Sequence, residues 1–182
     1  MPSQRQIRIG VEGLSERLRR FVNKPISRSD LVKCTSWLNA GGKSVRWFLI
    51  AGLPTETDED WAELREAVQE WKKLTPKGVL ALSFTAWCPD PSTPLAVMPM
   101  TDDYWPRVES FREWFFGGQG WSNRVKLMLP QQPESRLKKA MLSMDATERQ
   151  LREGGAQGGN SGVVYPFATA CAAVRRRLLC EK

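Results

Sequence analysis

The chain has 182 residues, 41% hydrophobic and 26% charged, with a formal net charge of +7. That length suits one ordinary domain able to bury most of its apolar surface, and the composition is globular rather than disordered. There is no histidine, and Cys34, Cys88, Cys171 and Cys180 form no C-x-x-C pair. Zinc-finger spacing, a Ser-His-Asp triad, a Cys-His dyad and histidine general-base catalysis are thereby excluded. The cysteines read as reduced small hydrophobes. No apolar run approaches the roughly 20 residues of a membrane-spanning helix. The N-terminal MPSQRQIRIGVEG has no signal-peptide core, so a cytoplasmic protein with no membrane partner is expected. The basic clusters Arg17, Arg19, Arg20, then Arg136, Lys138, Lys139, then Arg175, Arg176, Arg177 read as solvated helix faces. The charge balance also permits an anionic ligand or a nucleic acid.

In chain order, Gln6 to Val11 reads as a short strand. Ser15 to Asn23 carries Leu14, Leu18, Phe21 and Val22 at helical spacing. Ser27 with Asp30 makes a capping-box start for a helix whose stripe is Leu31, Cys34, Trp37 and Leu38, ended by Gly41-Gly42. Ser44 to Ala51 is a nearly continuous apolar strand, as in a parallel sheet covered on both faces. Thr57 with Asp60 is a second capping box, opening a helix with Trp61, Leu64, Val68 and Trp71 on one side and Asp58-Glu59-Asp60 in its first turn. Val79 to Trp87 reads as the next strand, followed by the Pro-stiffened loop CPDPSTPL. Trp105, Val108, Phe111 and Phe115 mark another helix closed by Gly117-Gly118, and Arg124 to Leu129 a fourth strand. A long helix is expected from about Glu134 to Arg152, then a Gly-rich linker over 154–162 and a basic segment over 163–182.

This alternation implies parallel pairing through right-handed crossovers. The fold class expected is α/β: a partial (β/α) barrel of three to four strands over 1–130, with helix 131–153, the linker and a C-terminal helical segment beyond it. So few strands leave open sheet edges.

Three motifs stand in order: RIGVEGLSERLRRFVNK from Arg8 to Lys24, VRWFLIAGLPTETDED from Val45 to Asp60, and LSFTAWCPDPSTPL from Leu82 to Leu95. Together they resemble the radical S-adenosylmethionine (SAM) superfamily, specifically the C-terminal half of its barrel. The likeness is greatest to poorly characterised members associated with cobalamin-binding domains, and more distant to methylthiotransferases and the coproporphyrinogen-oxidising branch. It runs from about residue 6 to residue 98 and is specific in the three motifs.

The resemblance implies SAM as cofactor. Glu12 stands where the family hydrogen-bonds the SAM ribose, a role suited to a carboxylate accepting from vicinal hydroxyls. Ser15 matches a contact to the methionyl group, and Arg20 or Lys24 a partner of its carboxylate, Lys24 being the better match. Ile50 and Gly52 match the strand that packs on adenine, glycine permitting close backbone approach. Where several relatives carry an aspartate four residues before that glycine, this chain has Phe48.

Radical SAM chemistry also uses a [4Fe–4S] cluster held by three cysteines of a C-x3-C-x2-C loop. This sequence contains no such loop. The expectation is a C-terminal half of a radical SAM Fe–S oxidoreductase, inactive unless an N-terminal half carrying the cluster is supplied. Such a chain could be part of a split enzyme or a fragment of a larger one. The alternative is a repurposed half-barrel that binds a nucleotide, a nucleic acid or a protein without catalysis. The open sheet edge points to a partner half-barrel chain or to self-association in either case. No residue of this chain is assigned a catalytic or metal-ligating role.

Overall fold

The computed structural model describes residues 5–89, 93–98, 103–118, 121, 124–133 and 135. The order is β1 (Gln6–Glu12), α1 (Glu16–Phe21), α2 (Arg28–Ala40), β2 (Ser44–Ala51), α3 (Asp58–Leu74), β3 (Leu80–Ala86), a 3-10 turn (Pro94–Val97), α4 (Tyr104–Phe116) and β4 (Val125–Met128). The long helix expected over 134–152, the linker and the basic C-terminal segment lie outside the described residues, Ser135 apart.

The chain divides into two compact units, Met1–Ala86 with Asp103–Pro130, and Trp87–Asp102 with Gln131–Lys182. In the second, the 3-10 turn opens on Pro94 and closes with Met98 N–H donating to the Leu95 carbonyl at 3.0 Å. In the first, four strands pair in parallel in the order β1-β2-β3-β4. This is the expected α/β class, a four-stranded parallel sheet with flanking helices, as in part of a (β/α) barrel. Strands that follow one another in both sequence and space, each joined by a right-handed crossover, put their helices on one face.

Strand alternation shows which face that is. In β2, Val45, Trp47, Leu49 and Ala51 are buried while Ser44, Arg46, Phe48 and Ile50 are only half-buried. The Trp47 indole donates to Thr35 Oγ1 of α2 at 2.9 Å, so the buried set faces the helices. Across the register it meets Leu80, Leu82, Phe84 and Ala86 of β3. Trp61 of α3 stacks on Phe84 at 5.6 Å, and Phe111 of α4 closes the cluster 5.4 Å from Trp61 and 5.7 Å from Phe84. Such offset aromatic contacts add roughly 0.5–1.5 kcal/mol each to the area buried.

The helix boundaries follow their caps. Ser27 Oγ accepts from Asp30 N–H at 3.0 Å, but the Asp30 carboxylate takes the Ser27 hydroxyl, so only half of the expected box forms. The Thr57–Asp60 box is complete, Asp60 Oδ2 accepting from Thr57 N–H at 2.8 Å. At the end of α2, Gly41 keeps φ −79° and Gly42 supplies the left-handed residue at +74°. Gly42 N–H reaches the Asn39 carbonyl and Lys43 N–H the Leu38 carbonyl, a Schellman closure.

Two expectations from spacing are corrected. The buried side of α2 is Leu31, Val32 and Thr35, whereas Cys34 is exposed and Trp37 is 75% exposed. The stripe drawn through Cys34 and Trp37 is therefore rotated, because Thr35 is drawn inward by the Trp47 indole. Arg19 does not lie on a solvated face: it is 2% exposed, its guanidinium bonding the carbonyls of Ile26, Gly13 and Leu14 and the Glu63 carboxylate. Among the described residues no helix is long and apolar enough to cross a membrane.

Candidate functional site

Parallel strands end on one edge of the sheet, where the β1–α1 and β2–α3 connections form a rim. In α/β folds ligands bind at that carboxyl edge. The rim is built from residues 12–24 and 52–60.

On β1, Gly10 pairs with Phe48 but Glu12 with Leu49, so Val11 is an extra residue in a bulge. The bulge leaves Glu12 at φ +67°, a left-handed conformation uncommon outside glycine, and re-aims its carboxylate. That carboxylate folds back over Gly10. A Cβ on Gly10 would stand 2.6 Å from Glu12 Oε1 and 2.9 Å from Lys24 Nζ. Lys24 in turn lies 3.2 Å from Glu12 Oε1. The pair is one-third to two-fifths exposed and contributes less than about 1 kcal/mol. Glu12 Oε2 has no hydrogen bond among the described residues. The structure thus brings Glu12 and Lys24 together at the strand end.

Ser15 and Arg20 are placed otherwise. Ser15 is buried as the N-cap of α1, accepting from Leu18 N–H at 3.1 Å and donating its hydroxyl to Asp60 Oδ1. Both capacities of the hydroxyl are engaged within the protein. Arg20 extends from the exposed side of α1 to Glu16 one turn earlier, at 2.6 Å. That contact and the Arg28 backbone N–H hold the Glu16 carboxyl below its ordinary range.

Asp60 is the hub that fastens the two rim segments. Besides Ser15 and Thr57, it receives Arg17 through Nε at 3.2 Å and Nη2 at 2.5 Å. Arg17 continues to the Thr55 carbonyl at 2.8 Å, across a residue held at φ +68°. A β-branched residue at positive φ is strained, so this clamp is what keeps the corner in place. Burial pushes the Asp60 carboxyl up, but the bonds from Arg17, Ser15 and Thr57 outweigh it and hold the group ionised below its ordinary range. Glu63 adds a second tie, capping the Glu16 N–H at 2.8 Å while meeting Arg19 at 3.3 Å. Burial lowers the Arg19 guanidinium from its ordinary value, against the opposing attraction of Glu63.

Ile50 lies on the sheet face away from the helices, in register with Thr85. Gly52 follows at the corner with φ +76°, and a Cβ there would meet Tyr104 at 3.0–3.3 Å. The ring that approaches this glycine closely is therefore Tyr104. Glu56 braces the same corner, one oxygen accepting from Gly52 N–H at 2.7 Å and the other from the Trp61 indole at 2.9 Å. Burial raises the Glu56 carboxyl above its ordinary range, despite those bonds.

Asp60, Arg17 and Glu56 were missed as site residues. Asp60 carried one usable signal, its place in the Thr57 capping box; Arg17 and Glu56 stand within the quoted motifs, but their partners are distant or lie across a turn. A ribose hydroxyl fits the free Oε2 of Glu12, with Lys24 holding the other oxygen. An iron–sulfur cluster does not fit the described residues, which hold no group of three His, Cys, Asp or Glu side chains able to ligate a metal.

No family model matches the chain. Over 90 residues, 49% of its length, the chain is 34% identical to an uncharacterised protein of Methanocaldococcus jannaschii. It spans about one fifth of that relative, the match covering 20% of the archaeal protein.

Proposed function

We propose that this chain is the C-terminal half of a radical SAM-type barrel, contributing the ribose and adenine side of a SAM site to an Fe–S oxidoreductase of the cytoplasm. The observation carrying this reading is the bulge at Val11, which turns Glu12 to the carboxyl edge and leaves Oε2 available beside Lys24. Glu12 would accept from the ribose hydroxyls, Lys24 would orient Glu12 or meet the methionyl carboxylate, and Ile50 would give the adenine an apolar wall. Ser15 and Arg20 serve the frame, Ser15 through Asp60 and Arg20 through Glu16. When bound, the cofactor would supply the radical chemistry; the residues of this chain bind and orient it. The cluster would come from an N-terminal half, seated at the outer edge of β1, which no described strand pairs.

The test is calorimetric titration of SAM into the wild-type chain and the Glu12→Gln variant. Weak saturable binding, reduced at least tenfold by the substitution, is expected. Binding of equal strength in both proteins would refute the assignment of Glu12, and affinity for oligonucleotides that falls steeply with salt would instead favour a nucleic-acid module.

A further inference from the structure

We propose that the face of the sheet turned away from the described helices binds a small elongated ligand with an oxyanionic end and an apolar body. This rests on the half-barrel reading only in identifying that ligand as the substrate of the site whose rim Glu12 occupies.

The register places Arg8, Arg46, Ala81 and Lys126 in one row across all four strands. Because Trp47 points to α2, this row points away from the helices, on the opposite face. Arg8 and Lys126 are exposed and Arg46 is half-buried. None of the three forms an ion pair among the described residues, and no acidic side chain shares the row. Two exposed cations on a sheet would need no explanation. Arg46 does: its Nε is buried and bonded to nothing among the described residues. A buried donor without an acceptor is destabilising, so an acceptor from outside the chain is the economical reading.

The row above is neutral. Gly10, Phe48, Ser83 and Met128 come next, then Glu12 at the level of Leu49, and beyond it Ile50 with Thr85. Neighbouring strands lie about 4.8 Å apart, so the guanidiniums of Arg8 and Arg46 can fork onto a single oxyanion. The bulge sets Glu12 level with Leu49, three residues along β2 from Arg46, a rise of about 10 Å. A carboxylate or phosphate anchored at the Arg8–Arg46 pair would therefore lay its body along Phe48 and Met128 and bring its far end to the rim.

Octyl phosphate and octanoate, both below their micelle concentrations, probe this surface, with inorganic phosphate as the anion lacking a body. At fixed ionic strength, saturable one-to-one binding of at least one octyl anion is expected, tighter than inorganic phosphate by tenfold or more. The two head groups separate phosphate from carboxylate ligands. Arg8→Gln, at an exposed position, and Arg46→Met should each weaken the binding at least tenfold. Absence of saturable binding, or indifference to both substitutions in folded protein, overturns the proposal. So does binding of an acidic polyglutamate peptide alone, which would make the face a protein-docking surface. SAM titrated into the same preparations separates the two readings: octyl-anion binding without SAM binding overturns the cofactor site, and the reverse overturns the ligand surface.

Discussion

Gly52→Ala tests whether the corner glycine is required by the fold or only by a ligand. The new Cβ would sit 3.0, 3.1 and 3.3 Å from Tyr104 Cγ, Cδ1 and Cβ, inside the 3.5–4.0 Å of a relaxed carbon contact. Tyr104 is fully buried, so the ring cannot swing away. Overpacking of this kind costs about 1–3 kcal/mol. The left-handed φ of +76° adds roughly 1–2 kcal/mol for any L side chain. Restricting the unfolded chain returns about 0.4–1 kcal/mol. The net expectation is a loss of about 2–4 kcal/mol in the ligand-free protein. Gly42→Ala is the internal control, because Gly42 has nearly the same φ, +74°, with nothing within 4 Å of its added Cβ. Its loss should be about 1 kcal/mol or less. Urea unfolding followed by tryptophan fluorescence measures both, and a double-mutant cycle with Tyr104→Leu should show coupling between 52 and 104. Equal losses at the two glycines would refute the Tyr104 contact and return Gly52 to the ligand.

Asp60→Asn removes the charge from five donors and should destabilise by about 2–3 kcal/mol, the half-exposed Arg17 limiting the loss. Because the folded-state Asp60 carboxyl titrates below its unfolded value, its contribution is present above about pH 4 and is lost as pH falls through the lower folded value. Glu56 has the opposite sign: its carboxyl is raised by folding, so stability falls as pH rises from the unfolded carboxyl value through the raised one. Denaturant midpoints between pH 3 and 8 should therefore show an acid limb that Asp60→Asn flattens and a slope above it that Glu56→Gln removes. Trp37→Ser, at a 75% exposed site, should change stability by less than about 0.5 kcal/mol, whereas Trp71→Ala should cost about 3–5 kcal/mol by calorimetry or denaturant titration.

Element types were legible because they depend on local patterns. The apolar run of Ser44 to Ala51, the Thr57 cap and the Gly41-Gly42 closure each act within a few residues of chain, although β2 is fully buried only on alternate residues. The parallel order was legible too, since it follows from strands separated by helices. Three features were not. Arg19 reads as a solvated cation until the carbonyls of Gly13, Leu14 and Ile26 are brought around it, which no helical period encodes. The inward face of α2 is decided by a strand tryptophan twelve residues away. The bulge at Val11 leaves no mark in a sequence that alternates acceptably with or without it, yet it re-aims the rim carboxylate. At the candidate site, Glu12, Lys24 and Gly52 were found through motif resemblance, while Asp60, Arg17 and Glu56 needed coordinates because their work is to hold the corner.

Strand order in this sheet is chain order, and that bears on how the protein is made. Gln6 pairs forward with Ser44, Val45 with Leu80, and Leu80 with Val125, so each strand finds its partner in the segment synthesised just before it. Among the described strands none must wait for a distant one, and no described pair must open to admit a latecomer. A nascent chain leaving the ribosome at roughly 5–20 residues per second can therefore extend the sheet one β/α unit at a time.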